Sequence, residues 1–183
     1  MFKMKYIQGN ILDVKEGYIL QQCNCVTVYP YGLSADLEKA FPGTCPYKRR
    51  RPRIEHTNVA RMEDRGVPGT LCIIGSQPDS QPSIISLFAQ YCPGGAGNAS
   101  YLARDAKVDD SAEAREKYFE ECLSELYDYF SGTREKVKLA IPFKIGCGLA
   151  KGNWQNYEKM LIMFEKKMKN SGIDLEMLIY CYK

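Results

Sequence analysis

Among its 183 residues the chain has one histidine, His56, so the side chain most often recruited for proton transfer and zinc binding is nearly absent. A Ser-His-Asp or Cys-His machine has a single possible base, and a zinc site built from several histidines is excluded. No Cys-x-x-Cys pair occurs, Cys23 and Cys25 being separated by one residue. The eight cysteines are too sparse for a small disulfide scaffold and are read as reduced thiols that hold no metal. No run approaches the ~20 consecutive apolar residues of a membrane span. The opening Met1-Phe2-Lys3-Met4-Lys5-Tyr6 has no apolar stretch to serve as a signal peptide. The expectation is a soluble monomer of the cytoplasm or nucleus that meets no membrane and needs no cofactor.

A general excess of charge of one sign is also lacking, except locally. The formal net charge is +3, and Lys48, Arg49, Arg50, Arg51 and Arg53 place five cations in one short stretch. Without them the chain would be net negative, so a surface that coats nucleic acid generally is not indicated. The run is read chiefly as solvated surface.

What is present is alternation of short apolar runs with helical periodicity. Tyr6 to Leu12, Gly17 to Cys23, Thr70 to Ile74, Ser83 to Phe88, Val137 to Pro142 and Leu175 to Tyr182 read as strands. Leu33, Leu37, Ala40 and Phe41 recur at helical spacing behind a possible Ser34 cap, and Phe41-Pro42-Gly43 stops them. Asp110-Ser111-Ala112-Glu113 resembles a capping box ahead of the stripe Tyr118, Phe119, Cys122, Leu123, Leu126, Tyr127 and Phe130, where Arg115 is expected on the helix face. Asn153 opens a last helix with Trp154, Tyr157, Leu161 and Phe164 inward, and Gly172 closes it. This alternation predicts a single α/β domain, interrupted by an irregular basic insertion at about 44–69 that is functional or mobile. Residues 91–107 are a second irregular stretch.

In open α/β sheets ligands bind beyond the carboxyl ends of strands. The most informative such loop is Phe143-Lys144-Ile145-Gly146-Cys147-Gly148-Leu149-Ala150-Lys151-Gly152, whose glycines free backbone amides for an anion beside a helix N-terminus. It is neither a Walker A loop, which ends in Gly-Lys-Ser/Thr, nor the dinucleotide fingerprint, whose glycine spacing it misses by one residue.

The wider constellation carries a resemblance. Gly9-Asn10-Ile11-Leu12, then Gln21-Gln22-Cys23-Asn24-Cys25 with Gly32-Leu33-Ser34, then Leu87-Phe88-Ala89-Gln90, then Ile141 through Trp154 with its Ile-Gly-Cys-Gly-Leu core, resemble the macrodomain family. The likeness covers nearly the whole chain outside the basic insertion. It is nearest to the branch of ADP-ribose 1''-phosphate phosphatases and terminal ADP-ribose glycohydrolases. The resemblance implies a three-layer α/β/α sandwich with a mixed central sheet that binds ADP-ribose or an ADP-ribosylated protein. By position it places Asn10 and Ile11 near the adenine, Asn24 and Gly32 near the distal ribose, and Gly146, Cys147, Gly148 and Leu149 along the phosphates. Leu33, Phe143 and Ala150 complete the lining.

Three departures stand out. Asn10 replaces a usual Asp, Val28-Tyr29-Pro30-Tyr31 makes the first loop bulkier than the glycine-rich family pattern, and Ala150 stands where the glycohydrolases carry an Asp. Their lysyl-intermediate mechanism therefore does not carry over. Asn24 and Gln90 are the catalytic candidates, to orient water and ribose, with Tyr91 beside Gln90 and with Glu63, Asp64 and Arg65 as a conceivable lid. Cys25 and Cys147 lack an activating histidine. Three functions compete on these residues: hydrolysis of protein-linked ADP-ribose or ADP-ribose 1''-phosphate, non-catalytic reading of ADP-ribose, and nucleic-acid binding through the basic run with Tyr29, Tyr31 and Tyr47.

Overall fold

The computed structural model describes residues 4–75, 81–98 and 108–182. The strands are β1 (Lys5–Gln8), β2 (Tyr18–Asn24), β3 (Leu71–Ile74), β4 (Ser83–Gln90), β5 (Val137–Pro142) and β6 (Leu175–Cys181). The helices are α1 (Leu33–Ala40), α2 (Ala112–Phe130) and α3 (Trp154–Asn170). The six strands form one mixed sheet in the order β1-β6-β5-β2-β4-β3, parallel throughout except for the antiparallel β3–β4 edge.

The period of two along each strand decides the layers. On β2 and β4, Ile19 and Ile84 face α1 and cluster with Ile11, Leu37 and Phe41. Their neighbours Leu20, Ile85 and Leu87 face the other way, onto Phe119, Cys122 and Leu126 of α2 and Tyr157, Leu161 and Phe164 of α3. Phe119 and Tyr157 lock those two helices together, ring centroids 4.4 Å apart and edge-on. The result is the expected α/β/α sandwich with a mixed central sheet.

The boundaries differ where side chains take unexpected partners. The first strand ends at Gln8 rather than Leu12, because Asn10 caps a 3-10 turn over Ile11–Asp13 by accepting from the Leu12 amide at 3.0 Å. Helix α1 begins after Gly32, at φ +56°, with no side-chain cap. Ser34 instead donates to Gln21 Oε1 at 2.6 Å, inside the α1 face of the sheet. Ser111 caps α2 through the Ala114 amide, and Asn153 caps α3 through Gln155.

The stretch 44–69 is irregular in backbone yet packed. It carries 3-10 turns at Pro46–Arg49 and Met62–Asp64 and an antiparallel bridge between Pro52 and Ala60. Its Cys45 and Tyr47 are buried in a cluster with Cys23, Cys25, Val26, Phe88 and Tyr91. The insertion is thus a packed element whose order comes from contacts with the loop after β2. The turn expected at 75–82 and the loop at 91–107 fall in part outside the described residues.

Candidate functional site

Strand β2 lies between β5 and β4, so the loops leaving their carboxyl ends are neighbours, and a cleft of about 610 Å³ opens among them. That volume suits a ligand of nucleotide size. Asn24, Gly32, Leu33, Gln90, Phe143, Gly146, Gly148, Leu149 and Ala150 all line it. The sequence therefore names residues that the fold does bring together, and the space between the two loops is open.

The loop after β5 closes on itself. Gly152 N donates to Gly146 O at 3.0 Å, a contact only glycine permits at 152, since a Cβ there would lie 2.7 Å from both that oxygen and the Tyr157 ring. Gly146, Lys144 and Lys151 all sit at positive φ. In a lysine this conformation is strained, a cost met by the closed turn. Folding the chain this way leaves the N–H groups of Gly146, Gly148, Leu149 and Ala150 without an acceptor among the described residues. Across the cleft Gly32 O takes up the amides of Ala35 and Asp36, while those of Leu33 and Ser34 have no acceptor among the described residues. Two sets of free backbone donors thus line one space, one of them at an uncapped helix N-terminus.

The first loop is held by its own side chains and by the insertion. Asn24 Oδ1 accepts from the amides of Val26 at 3.0 Å and Thr27 at 2.8 Å, and its Nδ2 donates to Thr27 Oγ1 at 2.9 Å and Tyr47 Oη at 3.3 Å. Its hydrogen-bonding capacity is taken up within the loop, so in this arrangement the side chain braces the turn while still lining the cleft. Asn58 accepts from the amides of Val28 and Tyr29, Ala60 N donates to Val26 O at 2.7 Å, and Gly66 N donates to Cys25 O at 3.1 Å. Arg50, expected on the surface, is buried: its guanidinium donates to Thr27 O at 2.7 Å and Asn24 O at 3.0 Å and stacks 4.8 Å from the Tyr47 ring centroid. Tyr29 and Tyr31 line the cleft, 47% and 74% exposed, and so stand at its rim without filling it.

Gln90 keeps capacity that Asn24 lacks. It accepts from Gln22 Nε2 at 2.8 Å and donates one N–H to Cys92 O at 2.9 Å, leaving a second N–H and an oxygen lone pair. Tyr91 does not reach the cleft, since it is buried with its hydroxyl accepting from Arg65 at 2.9 Å. The suggested lid is also engaged elsewhere. Asp64 accepts from the Arg51 backbone and side chain at 2.7 and 2.8 Å, Glu63 lies 3.4 Å from the same guanidinium, and Arg65 donates to Ala60 O. Arg115 is not on the helix surface. It is 3% exposed and bonds Asp110 at 2.6 and 2.9 Å, Gly94 O at 2.7 Å and Cys92 O at 3.1 Å, with Ala150 O at 3.4 Å. Asp110 in turn accepts from the amides of Tyr91 and Cys92. Sequence reasoning missed this buried pair although a signal was there: Arg115 stands at helical spacing ahead of Phe119, Cys122 and Leu126, on the face that the helix buries.

Electrostatics favour an anion. Among the described residues lining the cleft there is no carboxylate, and Lys144 is its one charged side chain. The thiols offer no nucleophile: burial pushes Cys25 up to about 12, and burial likewise raises Cys147, partly offset by Lys144. Cys147, expected along the phosphates, turns its Sγ to Ile145 O at 3.3 Å and does not line the cleft with its neighbours. Asn10 and Ile11 line an adjoining pocket that shares Leu33 and Phe143 with the main cleft. The basic run gives no stacking platform of the expected kind. Tyr47 is buried, Lys48 pairs with Glu38 at 3.0 Å, and Arg50 and Arg51 are engaged inside the insertion.

No family model matches the chain. An uncharacterized protein of the tk-vs intergenic region of Enterobacteria phage T4 is 25% identical over 179 residues, 96% of this chain and 99% of that one. Among solved structures, the macrodomain of Mycobacterium tuberculosis DarG superposes with a TM-score of 0.64 at 16% identity over 97% of both chains. That of Thermus aquaticus DarG gives 0.61 at 16% identity over 98% of both. The Trypanosoma brucei macrodomain in complex with ADP-ribose gives 0.57 at 10% identity, over 97% of this chain and 62% of that one. On backbone architecture this chain has the macrodomain fold.

Proposed function

We propose that the protein binds ADP-ribose, free or attached to a protein, with the diphosphate held between the Gly146–Ala150 turn and the start of α1. The observation that carries this reading is the double set of amides, at Gly146, Gly148, Leu149 and Ala150 and at Leu33 and Ser34, that have no acceptor among the described residues, along a cleft where those residues place no carboxylate. Backbone donors fixed by a rigid turn suit a diphosphate, because its charge is spread over several oxygens and no side chain must be ordered to meet it. The ADP-ribose complex of a structure with the same fold supports the choice of ligand. Calorimetric titration with ADP-ribose, AMP and NAD tests it. Micromolar binding of ADP-ribose, at least tenfold tighter than AMP, is expected, and absence of heat with ADP-ribose would overturn the reading.

Hydrolysis of an ADP-ribose derivative is a second reading of the same cleft, favoured by Gln90. Its spare N–H and lone pair, on a side chain fixed by Gln22 and Cys92 O, can orient a water at the cleft wall. Release of ADP-ribose from a modified protein, or of phosphate from ADP-ribose 1''-phosphate, would select it. Gln90→Leu should then abolish turnover while ADP-ribose still binds. Binding with no turnover on either linkage leaves the protein a reader.

A further inference from the structure

Two stretches set this chain apart from the pattern it resembles, the 44–69 insertion and the bulky Val28-Tyr29-Pro30-Tyr31 loop, and the fold fastens them to each other at the cleft. Asn58 of the insertion accepts through Oδ1 from Val28 N at 3.1 Å and from Tyr29 N at 2.8 Å. Both lone pairs of that oxygen are used, so the amide is held one way round. Its Nδ2, for which no acceptor is found among the described residues, remains a donor, and Asn58 lines the cleft. The insertion thus brings a fixed hydrogen-bond donor to the first loop.

Around that donor the rim is apolar. Tyr29 and Tyr31 stand on either side of Pro30, whose ring stiffens the loop that presents them. Leu149, 73% exposed, lines the cleft from the turn after β5. Three large exposed side chains about one opening, with a fixed amide donor among them, have the composition of a polypeptide-binding rim. Tyrosine offers contact area at low entropic cost, and an amide donor suits a main-chain carbonyl.

Charge decides between kinds of partner. A nucleic-acid strand is held by cations on its phosphates. Here Lys48 is turned to Glu38, Arg50 to Asn24 O and Thr27 O, and Arg51 to Asp64, and none of the three lines the cleft. An uncharged chain rich in carbonyls fits this rim better. We propose that the rim docks the polypeptide carrying the ADP-ribose, with Asn58 donating from Nδ2 to a main-chain carbonyl beside the modified side chain and Tyr29 and Tyr31 packing on the flanking backbone. The inference rests on the ADP-ribose reading above. It adds that the carrier is read through its backbone, by side chains that lie outside the family pattern.

The test compares free ADP-ribose with an uncharged, alanine-rich peptide bearing one ADP-ribose through a non-hydrolysable triazole link. Calorimetry is run on the wild type, Asn58→Asp and Tyr31→Ala, and the readout is the ratio of the two affinities. Asn58→Asp keeps an oxygen for the two loop amides and removes the donor, while its new charge acts on a diphosphate that both ligands share. The wild type is expected to bind the peptide conjugate about tenfold more tightly than free ADP-ribose, the worth of one hydrogen bond with an aromatic contact, and each variant to narrow that to under about threefold. Equal affinities in the wild type, or a preference that survives in either variant, would overturn the docking surface while leaving the ADP-ribose site intact. An oligonucleotide bearing the same link and bound as tightly as the peptide would overturn the choice of a polypeptide. Failure of free ADP-ribose to bind the wild type would overturn the ADP-ribose reading itself and this assignment with it.

Discussion

Gly146 and Gly148 stand two positions apart in one turn and are glycine for different reasons. At Gly146 the backbone has φ +71°, and a Cβ would meet Gln22 Oε1 at 2.2 Å. Gln22 cannot easily yield, because its amide is bonded to Gln90. Gly146→Ala should therefore cost about 2–4 kcal/mol of stability, combining the left-handed penalty with displacement of a half-buried amide. At Gly148 a Cβ would meet nothing within 4 Å. Gly148→Ala should leave stability within about 0.5 kcal/mol of wild type. Gly148→Glu should fold normally yet bind ADP-ribose at least 100-fold more weakly, since it places a carboxylate where the diphosphate would rest. Urea denaturation and calorimetry on the three variants check the contrast. A Gly148→Glu protein that binds as well as wild type would place the ligand elsewhere.

At the scale of elements, the site is a set of loops fastened to one another, and the fastenings are buried charges. Asp110, just before α2, and Arg115, in its first turn, are 2% and 3% exposed. From there Asp110 anchors the amides that follow β4, while Arg115 reaches Cys92 O, Gly94 O and Ala150 O, so one ion pair ties the loop after β4 to the Gly146–Ala150 turn after β5. Such a pair adds little net stability over an apolar substitute, but losing one member leaves the other buried and uncompensated. Asp110→Asn should thus cost about 3–5 kcal/mol, whereas Asp110→Asn combined with Arg115→Met should recover part of that loss. Equal destabilisation by the single and double variants, measured in urea, would show that the pair does not act as a unit. Arg50 plays a comparable part for the first loop, holding Asn24 O and Thr27 O from within the insertion.

For the whole molecule, the layers were legible in the sequence because each follows from a local period: Leu20 and Ile19 alternate in a strand, and Phe119, Cys122 and Leu126 recur along a helix. The two cleft loops were legible too, since glycine spacing and strand ends are local signals. What the sequence concealed depends on contacts distant along the chain. Nothing near Arg50 or Asn58 reveals that they brace residues more than twenty positions away, and the amide of Asn24 looks as free for a ligand as for its own turn until Tyr47 and Thr27 are placed beside it. The cysteines show the same limit, for their number was plain and their environments were not. Cys23, Cys25, Cys45, Cys92 and Cys122 are buried, whereas Cys72, Cys147 and Cys181 are partly accessible. Burial pushes Cys23 up to about 11 and both Cys25 and Cys92 up to about 12. A folded-state thiol raised to about 12 is ionised at pH 8 to only on the order of one part in 10,000, and the thiolate is the form that reacts. A thiol reagent at pH 8 should therefore label no more than the three accessible cysteines of the native protein promptly, with the other five reacting only once denaturant is added. Because thiolate is scarce in the fold and abundant in the unfolded chain, labelling of those five should follow the unfolding curve. Prompt modification of Cys25 or Cys92 in the native state, located by peptide mapping, would mean that the cluster joining the insertion to the first loop opens far more readily than its packing implies.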